Sequence, residues 1–429
     1  MDIGTSMKLA SWLYRAAGLT AVVAAISSCA GNGDGSSDQC IANDAGQCPD
    51  AMGVESESEA EAESEAESES ESESEGEVHD TVFTYDSTDL APNGAVNLAR
   101  VRRFDTDPQG FMPVASDLYL YMDGFVSAEP SGRVYVVEGE GVDTVRCLEP
   151  SGANCWAENE GVVQLDPGSK ATDLIATADK LYIPQYYRGS VVALDRATGS
   201  TLNSIPVDAQ CRYPTTGVTD GARLYVSCEA EGDAPGSMAV IDQATDGVLQ
   251  TLALSGTNPY RSAYSAAPRR VYVASTGTVD FAAPACVESI NLAGETPVAE
   301  GCLFTSEQLG GSPLDIRVSD QDGIGAVSVV FPNEEGVLET NAQSFTLDPP
   351  ALSGVFYTGE ILDMDFVRTA GGLRVLVADW NGSHYAGPGA DAEVESIDNS
   401  MVTIGTGEGA YRIRPMRIAV ARPSTERDE

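Results

Sequence analysis

Imidazole chemistry in this chain has only two residues to draw on, His79 and His384. A histidine-based triad or dyad would have to use His384, and a multi-histidine metal centre is excluded. No Gly-x-Ser-x-Gly elbow and no phosphate-binding glycine loop occurs. His384 lies in Trp380-Asn381-Gly382-Ser383-His384-Tyr385, a loop by its glycines. There Trp380, His384 and Tyr385 form a candidate set for stacking a ring-shaped ligand. The plainer reading is an exposed loop residue.

Carboxylates are the second candidate chemistry. Asp391, Glu393, Glu395 and Asp398 come after Gly387-Pro388-Gly389, and Ser319-Asp320-Gln321-Asp322-Gly323 looks like part of a calcium loop. Hard cations take oxygen ligands, so Asp320, Asp322, Asp391 and Glu393 are the residues to which Ca²⁺ or another divalent cation would bind. Against this, Asp-x-Asp-Gly between two strands is an ordinary turn, in which Asp caps the bend and Gly supplies positive φ. No cofactor is otherwise indicated.

Cysteine chemistry points to place rather than reaction. Lys8 and Arg15 are followed by the uncharged, mostly apolar run from Ala16 to Ile26, and then by Ser27-Ser28-Cys29. That order is an export signal, and the apolar run is shorter than the roughly 20 residues of a membrane-spanning helix. Ile26-Ser27-Ser28-Cys29 resembles the processing site of bacterial lipoproteins. The resemblance implies cleavage after residue 28, lipid on Cys29, and attachment to the cell envelope, with the outer membrane expected because Ala30 stands in place of the retention aspartate. Eight cysteines remain, an even number in an exported chain. Local pairing suggests Cys40 with Cys48, Cys147 with Cys155, Cys211 with Cys228, and Cys286 with Cys302. None has the Cys-x-x-Cys spacing of zinc or haem sites.

The net charge of −42 repels nucleic acid phosphates and anionic lipid, so nucleic acid is not an expected partner. Between residues 55 and 77 glutamate occupies every second position with no basic residue. A helix there would stack like charges at i,i+4, so residues 29–78 read as a disordered, acidic, lipidated linker. Residues 1–28 form the signal.

Beyond residue 78 the chain is repetitive. Arg133-Val134-Tyr135-Val136, Lys180-Leu181-Tyr182-Ile183, Arg223-Leu224-Tyr225-Val226 and Arg270-Val271-Tyr272-Val273 share one pattern at a period of 43 to 47 residues. Weaker copies centre on Phe83, Ser328 and Leu376, making seven. Each unit reads as four short strands, for example 171–176, 180–185, 190–194 and 202–207. Short strands at this period predict an all-β fold, a seven-bladed β-propeller over residues 79–423, with 424–429 as a tail. The copy at Thr81 lacks a preceding strand, while Met416-Arg417-Ile418-Ala419-Val420-Ala421 is surplus at the other end. This last strand is expected to complete the first blade and protect two sheet edges. A six-bladed ring with the N-terminal segment outside is the alternative.

Leu224-Tyr225-Val226-Ser227 with Val240-Ile241-Asp242-Gln243-Ala244-Thr245-Asp246-Gly247, and Val192-Ala193-Leu194-Asp195-Arg196-Ala197-Thr198-Gly199, resemble the blades of YVTN/YncE-type propellers. The resemblance covers two blades well and implies a fold rather than a site. Function is expected to be binding or scaffolding of an envelope protein or small molecule at the top face or channel, without catalysis. The alternative is a lactonase-like hydrolase using a divalent cation. Only Trp156 and Trp380 fall in the domain, which argues against a quinone-dependent dehydrogenase.

Overall fold

A computed structural model describes most of residues 81–421; residues 1–80, residues 422–429 and several connecting segments, among them 89–98, 388–393 and 405–410, lie outside the described residues. Cys29, the acidic linker and the Cys40–Cys48 pair therefore fall outside it. The chain divides into two units, Met1–Gly76 and Glu77–Glu429, and the repeats lie in the second.

Each copy of the repeat becomes the second strand of a sheet. Blade 1 holds β1 (Thr81–Thr88), β2 (Ala99–Asp107) and β3 (Gly110–Leu120). Blade 2 holds β4 (Gly124–Ala128), β5 (Val134–Glu138), β6 (Thr144–Leu148) and β7 (Val162–Gln164). Blade 3 holds β8 (Ile175–Ala176), β9 (Lys180–Gln185), β10 (Ser190–Asp195) and β11 (Thr201–Pro206). In blade 4 are β12 (Tyr213–Thr219), β13 (Arg223–Glu229), β14 (Pro235–Asp242) and β15 (Gly247–Thr257), and in blade 5 are β16 (Pro259–Ser265), β17 (Arg270–Ser275), β18 (Cys286–Asn291) and β19 (Val298–Thr305). Blade 6 contains β20 (Ser312–Ser319), β21 (Ile324–Pro332), β22 (Leu338–Leu347) and β23 (Pro350–Gly359). Blade 7 contains β24 (Ile361–Thr369), β25 (Gly372–Asp379), β26 (Gly382–Ala386) and β27 (Val394–Asp398), after which β28 (Thr403–Ile404) leads into β29 (Tyr411–Ala421).

Among the described residues these strands form seven antiparallel sheets, so the fold is a seven-bladed β-propeller and the six-bladed alternative falls. β29 returns to pair with β1, placing Phe83 opposite Ala419 and Thr81 opposite Ala421. Blade 1 is thus built from both ends of the domain, and β29 is longer than the six residues expected. The first strands of successive blades adjoin around the axis, β12 to β16 to β20 to β24 to β29 to β4.

The second strands are apolar on both faces because each sheet is covered by a neighbour on either side. β5 is buried throughout, and Tyr135, Tyr182, Tyr225 and Tyr272 have no exposed surface. β-branched and aromatic residues suit such a position. The Asp-x-x-Thr turns that close the third strands are equally local. Asp195 Oδ1 accepts from the backbone N–H and the hydroxyl of Thr198, both at 2.8 Å, and Asp242 does the same with Thr245. Gly199 then adopts φ 75°, and a side chain there would run into the Trp156 ring.

Three of the expected disulfides are present, Cys147–Cys155, Cys211–Cys228 and Cys286–Cys302, each within one blade or its approach. No described helix is long and apolar enough to cross a membrane.

Candidate ligand chamber in the channel

The first strands carry a shared irregularity. A β-bulge interrupts the pairing before Thr216, Arg261, Asp315 and Asp363 in blades 4 to 7. Bulges locally bend a strand and re-aim its side chains. With Asp173, which precedes β8, these residues form a polar girdle about the axis.

Three aspartates of the girdle obey one rule. Asp173, Asp315 and Asp363 each accept through Oδ1 from the backbone N–H of the next residue, at 2.9, 2.9 and 3.0 Å. The other oxygen stitches blade to blade. Asp173 Oδ2 accepts from Thr216 Oγ1 at 2.7 Å and Gly217 N at 3.1 Å, and Asp363 Oδ2 accepts from Ile418 N at 2.8 Å on the closing strand β29. Asp315 keeps the first of these bonds and lacks the second, with no donor from the next blade on its Oδ2. Asp315 Oδ2 is buried and has no hydrogen-bond partner.

Two arginines reach this aspartate. Arg317 lies 2.9 Å from Asp315 Oδ1 and 2.8 Å from Asp363 Oδ1, and its Nε donates to the Met364 carbonyl at 2.7 Å. Arg261 Nε stands 3.9 Å from Asp315 Oδ1. Burial pushes the Asp315 carboxyl up to about 7, against the pull of Arg317 and with the neighbouring Asp363 charge adding to the rise. The same carboxylates hold the Arg317 cation against its own desolvation.

Phe125, Asp173, Thr216, Arg261, Arg317 and Asp363 line a chamber of about 740 Å³, with Asp315 behind its wall. It opens among the turns joining first to second and third to fourth strands, where Glu129, Asp179, Arg196 and Gln243 stand. At this mouth Arg196 Nε donates to Glu129 Oε1 at 2.6 Å, and the Tyr135 hydroxyl donates to the same oxygen. Although burial opposes it, these donors hold the Glu129 carboxyl below its ordinary range. The volume is that of a small-molecule site.

No family model matches the chain, and no curated protein matches it. Solved structures do. A Bacteroides fragilis protein named as a candidate 6-phosphogluconolactonase aligns with a TM-score of 0.50 at 13% identity, over 80% of this chain and 98% of that one. Hydrazine synthase of Kuenenia stuttgartiensis aligns at 0.45 and 15%, over 60% and 76% of the two chains. The periplasmic gluconolactonase of Pseudomonas aeruginosa aligns at 0.43 and 16%, over 74% and 100%. At such identities the likeness is one of fold.

Of the residues singled out from sequence, the described ones are not among those that line the chamber. Asp320 accepts from Ser265 Oγ and from Ala266 N at 2.7 Å, joining blade 6 to blade 5, and Asp322 accepts from Arg368 at 2.7 Å and Ser319 Oγ at 2.5 Å. Both sit in a helical turn closed by Gly323 at φ 66°, the ordinary-turn reading of that motif. Among the described residues no three His, Cys, Asp or Glu gather to hold a metal. Asp391, Glu393 and Trp380 lie outside the described residues. The loop placement of His384 and Tyr385 needs correction: both belong to β26, paired with Val377 and Leu376, because the glycines of that segment begin a strand rather than a loop.

Sequence reasoning missed the girdle. Its only trace is Asp followed by an aliphatic residue near the start of a first strand, in Asp173-Leu174, Asp315-Ile316 and Asp363-Met364.

Proposed function

We propose that the protein is a lipid-anchored lipoprotein of the bacterial envelope whose propeller binds a small, polar, hydroxyl-bearing molecule in the channel chamber. The observation that carries this is the chamber itself, walled by the first strands of successive blades and lined by guanidinium, carboxylate and hydroxyl groups. Such convergent polar groups in a concave site fix orientation and specificity. The lipid reading rests on Ile26-Ser27-Ser28-Cys29, and the acidic residues after it make a spacer that holds the propeller off the membrane surface.

A binding test uses the soluble Cys29→Ala protein and a panel of aldonic acids, their lactones and neutral sugars, read by calorimetry. Binding by at least one class supports the reading; heat from none of them removes it. Incorporation of labelled fatty acid by the wild-type chain and its loss in Cys29→Ala tests the anchor.

Hydrolysis of a sugar lactone is the second reading. It is favoured by the likeness in fold to the Bacteroides fragilis protein and by the carboxylates on the chamber wall, Asp173 and Asp363 among them. Release of acid from 6-phosphogluconolactone above the spontaneous rate, lost in Asp363→Asn, is the expected outcome under that reading.

A further inference from the structure

Of the three arginines that line the chamber, two are fully engaged by protein acceptors. Arg196 binds Glu129 and the carbonyls of Thr177 and Ala178, and Arg317 binds two carboxylates and a carbonyl. Arg261 is the exception. It is only 7% exposed, yet among the described residues its guanidinium makes no hydrogen bond, and its nearest carboxylate oxygen is 3.9 Å away.

A buried cation without acceptors is costly, and folds retain one only where something offsets it. The Phe125 and Tyr260 rings lie 5.4 Å from the guanidinium carbon. Stacking on rings holds the planar group in place and consumes none of its five in-plane donors. Beside it stands the second unpartnered group of the girdle, Asp315 Oδ2. The remaining acids of the wall are already answered: Asp173 by a hydroxyl and two backbone N–H groups, Asp363 by Arg317 and two more. An incoming anion therefore meets a donor fork whose carboxylate neighbour, Asp315, stands at 3.9 Å, beyond hydrogen-bond reach.

Resting on the chamber reading, we infer that Arg261 anchors the ligand through an anionic group, a carboxylate or a phosphoryl, so that the chamber takes acids of the sugar-acid or sugar-phosphate class in preference to neutral sugars. The planar fork matches two oxygens of either group, and a charge-assisted pair of this kind is about twice as strong as a neutral one. The burial cost of the empty fork is recovered only when the acid is bound.

The test titrates D-gluconate, glucose 6-phosphate and D-glucose into the soluble full chain at neutral pH, and into Arg261→Lys and Arg261→Met variants whose folding is checked by circular dichroism and thermal midpoint. At least one acid is expected to bind tenfold or more tightly than glucose, with gluconate against glucose 6-phosphate separating carboxylate from phosphoryl. Arg261→Met is expected to lose that binding by tenfold or more while it still unfolds cooperatively, since the ion pair that it gives up with Asp315 is long, at 3.9 Å. Arg261→Lys keeps the charge without the fork and is expected to fall between. Glucose binding as tightly as both acids, or Arg261→Met binding them like wild type, overturns the anchor and leaves the chamber reading standing. If all three ligands fail on the wild type, both readings fail for molecules of this size. A fall in the thermal midpoint of Arg261→Met with unchanged acid binding assigns Arg261 to structure alone.

Discussion

The hydroxyl of Tyr182 in blade 3 donates to Asp246 Oδ1 in the turn of blade 4, at 2.7 Å. The tyrosine that marks one repeat is thus tied to the turn that marks the next. Lys180 Nζ reaches the same oxygen at 2.9 Å, so the contact is a small, partly buried network between blades. Tyr182→Phe is expected to cost about 1.5 to 3 kcal/mol, the range for a hydrogen bond to a charged group, seen as a lower denaturant midpoint at unchanged slope. Tyr272→Phe should cost less, about 0.5 to 1 kcal/mol, because its hydroxyl donates to a neutral acceptor, the Leu347 carbonyl at 3.3 Å. Equal losses at the two sites would show that the Asp246 network adds nothing.

Burial raises the repeat tyrosines as acids, and neighbouring carboxylates add to the rise. Tyr135 is pushed up to about 12 by desolvation and Glu129, and Tyr182 and Tyr225 are raised by desolvation with Asp246 and Asp220. The unfolded chain releases these protons near pH 10, where the folded chain still holds them. Stability is therefore complete below pH 10 and falls as pH climbs through about 12. Phenolate absorbance should rise in step with unfolding, and reversible ionisation of these tyrosines near pH 10 in the folded protein would contradict this.

Glu229 lies under an aromatic stack, with Tyr186 donating to its Oε2 at 2.5 Å and the Tyr186 and Tyr213 rings 5.0 Å apart. Desolvation pushes its carboxyl from 4.5 up to about 7, against the pull of Tyr186 and Lys170. The folded state binds this proton more tightly than the unfolded state. Stability from this site is present below about pH 4.5 and is lost as pH rises through 7. Glu229→Gln, which keeps an acceptor for Tyr186, is expected to gain about 2 to 3 kcal/mol over wild type at pH 8 and almost nothing at pH 4. A gain of the same size at both values would point to packing instead of charge.

Cys211 and Cys228 join the approach of blade 4 to the end of its second strand, and neither has exposed surface. Replacing both by alanine should cost about 2 to 4 kcal/mol, chiefly by freeing the unfolded chain. Reductant added to wild type should lower the thermal midpoint at least as far, since it opens the other two disulfides as well. Insensitivity to reductant would mean that these pairs contribute nothing to stability.

Deleting residues 411–429 removes β29, the partner of β1 and the source of the Ile418 N–H that Asp363 accepts. The shortened chain is expected to lose cooperative unfolding and to be digested by protease at concentrations that spare the full protein. A cooperative transition at the wild-type midpoint would show that ring closure does not depend on this strand.

Much of the fold was legible because its signals are local. The apolar tetrads around Tyr135, Tyr182, Tyr225 and Tyr272 are buried on both faces, so packing constrains every position and the pattern survives from blade to blade. Even the weak centres Phe83, Ser328 and Leu376 are second strands. The Asp195 and Asp242 turns are closed within a few residues, and three cysteine pairs join near neighbours. The girdle was not legible. Thr216, Arg261, Asp315 and Asp363 occupy corresponding places, but only the last two share a residue type, and an Asp before an aliphatic residue is too common to mark a site. Asp320 and Asp322 were ambiguous for the opposite reason, since a turn and a partial calcium loop use the same residues.

By itself the sequence determined the glutamate-rich character of residues 55–77, the seven strand centres and the surplus strand that closes the ring, because each is written in residue type and spacing along the chain. Only the tertiary structure decided where the polar chamber forms and which side chains line it. Asp173, Arg261, Arg317 and Asp363 are far apart in the chain and meet because radial packing points each first strand at one axis. Which carboxylate each arginine there meets, and how closely, depends on contacts between blades, which no stretch of sequence contains.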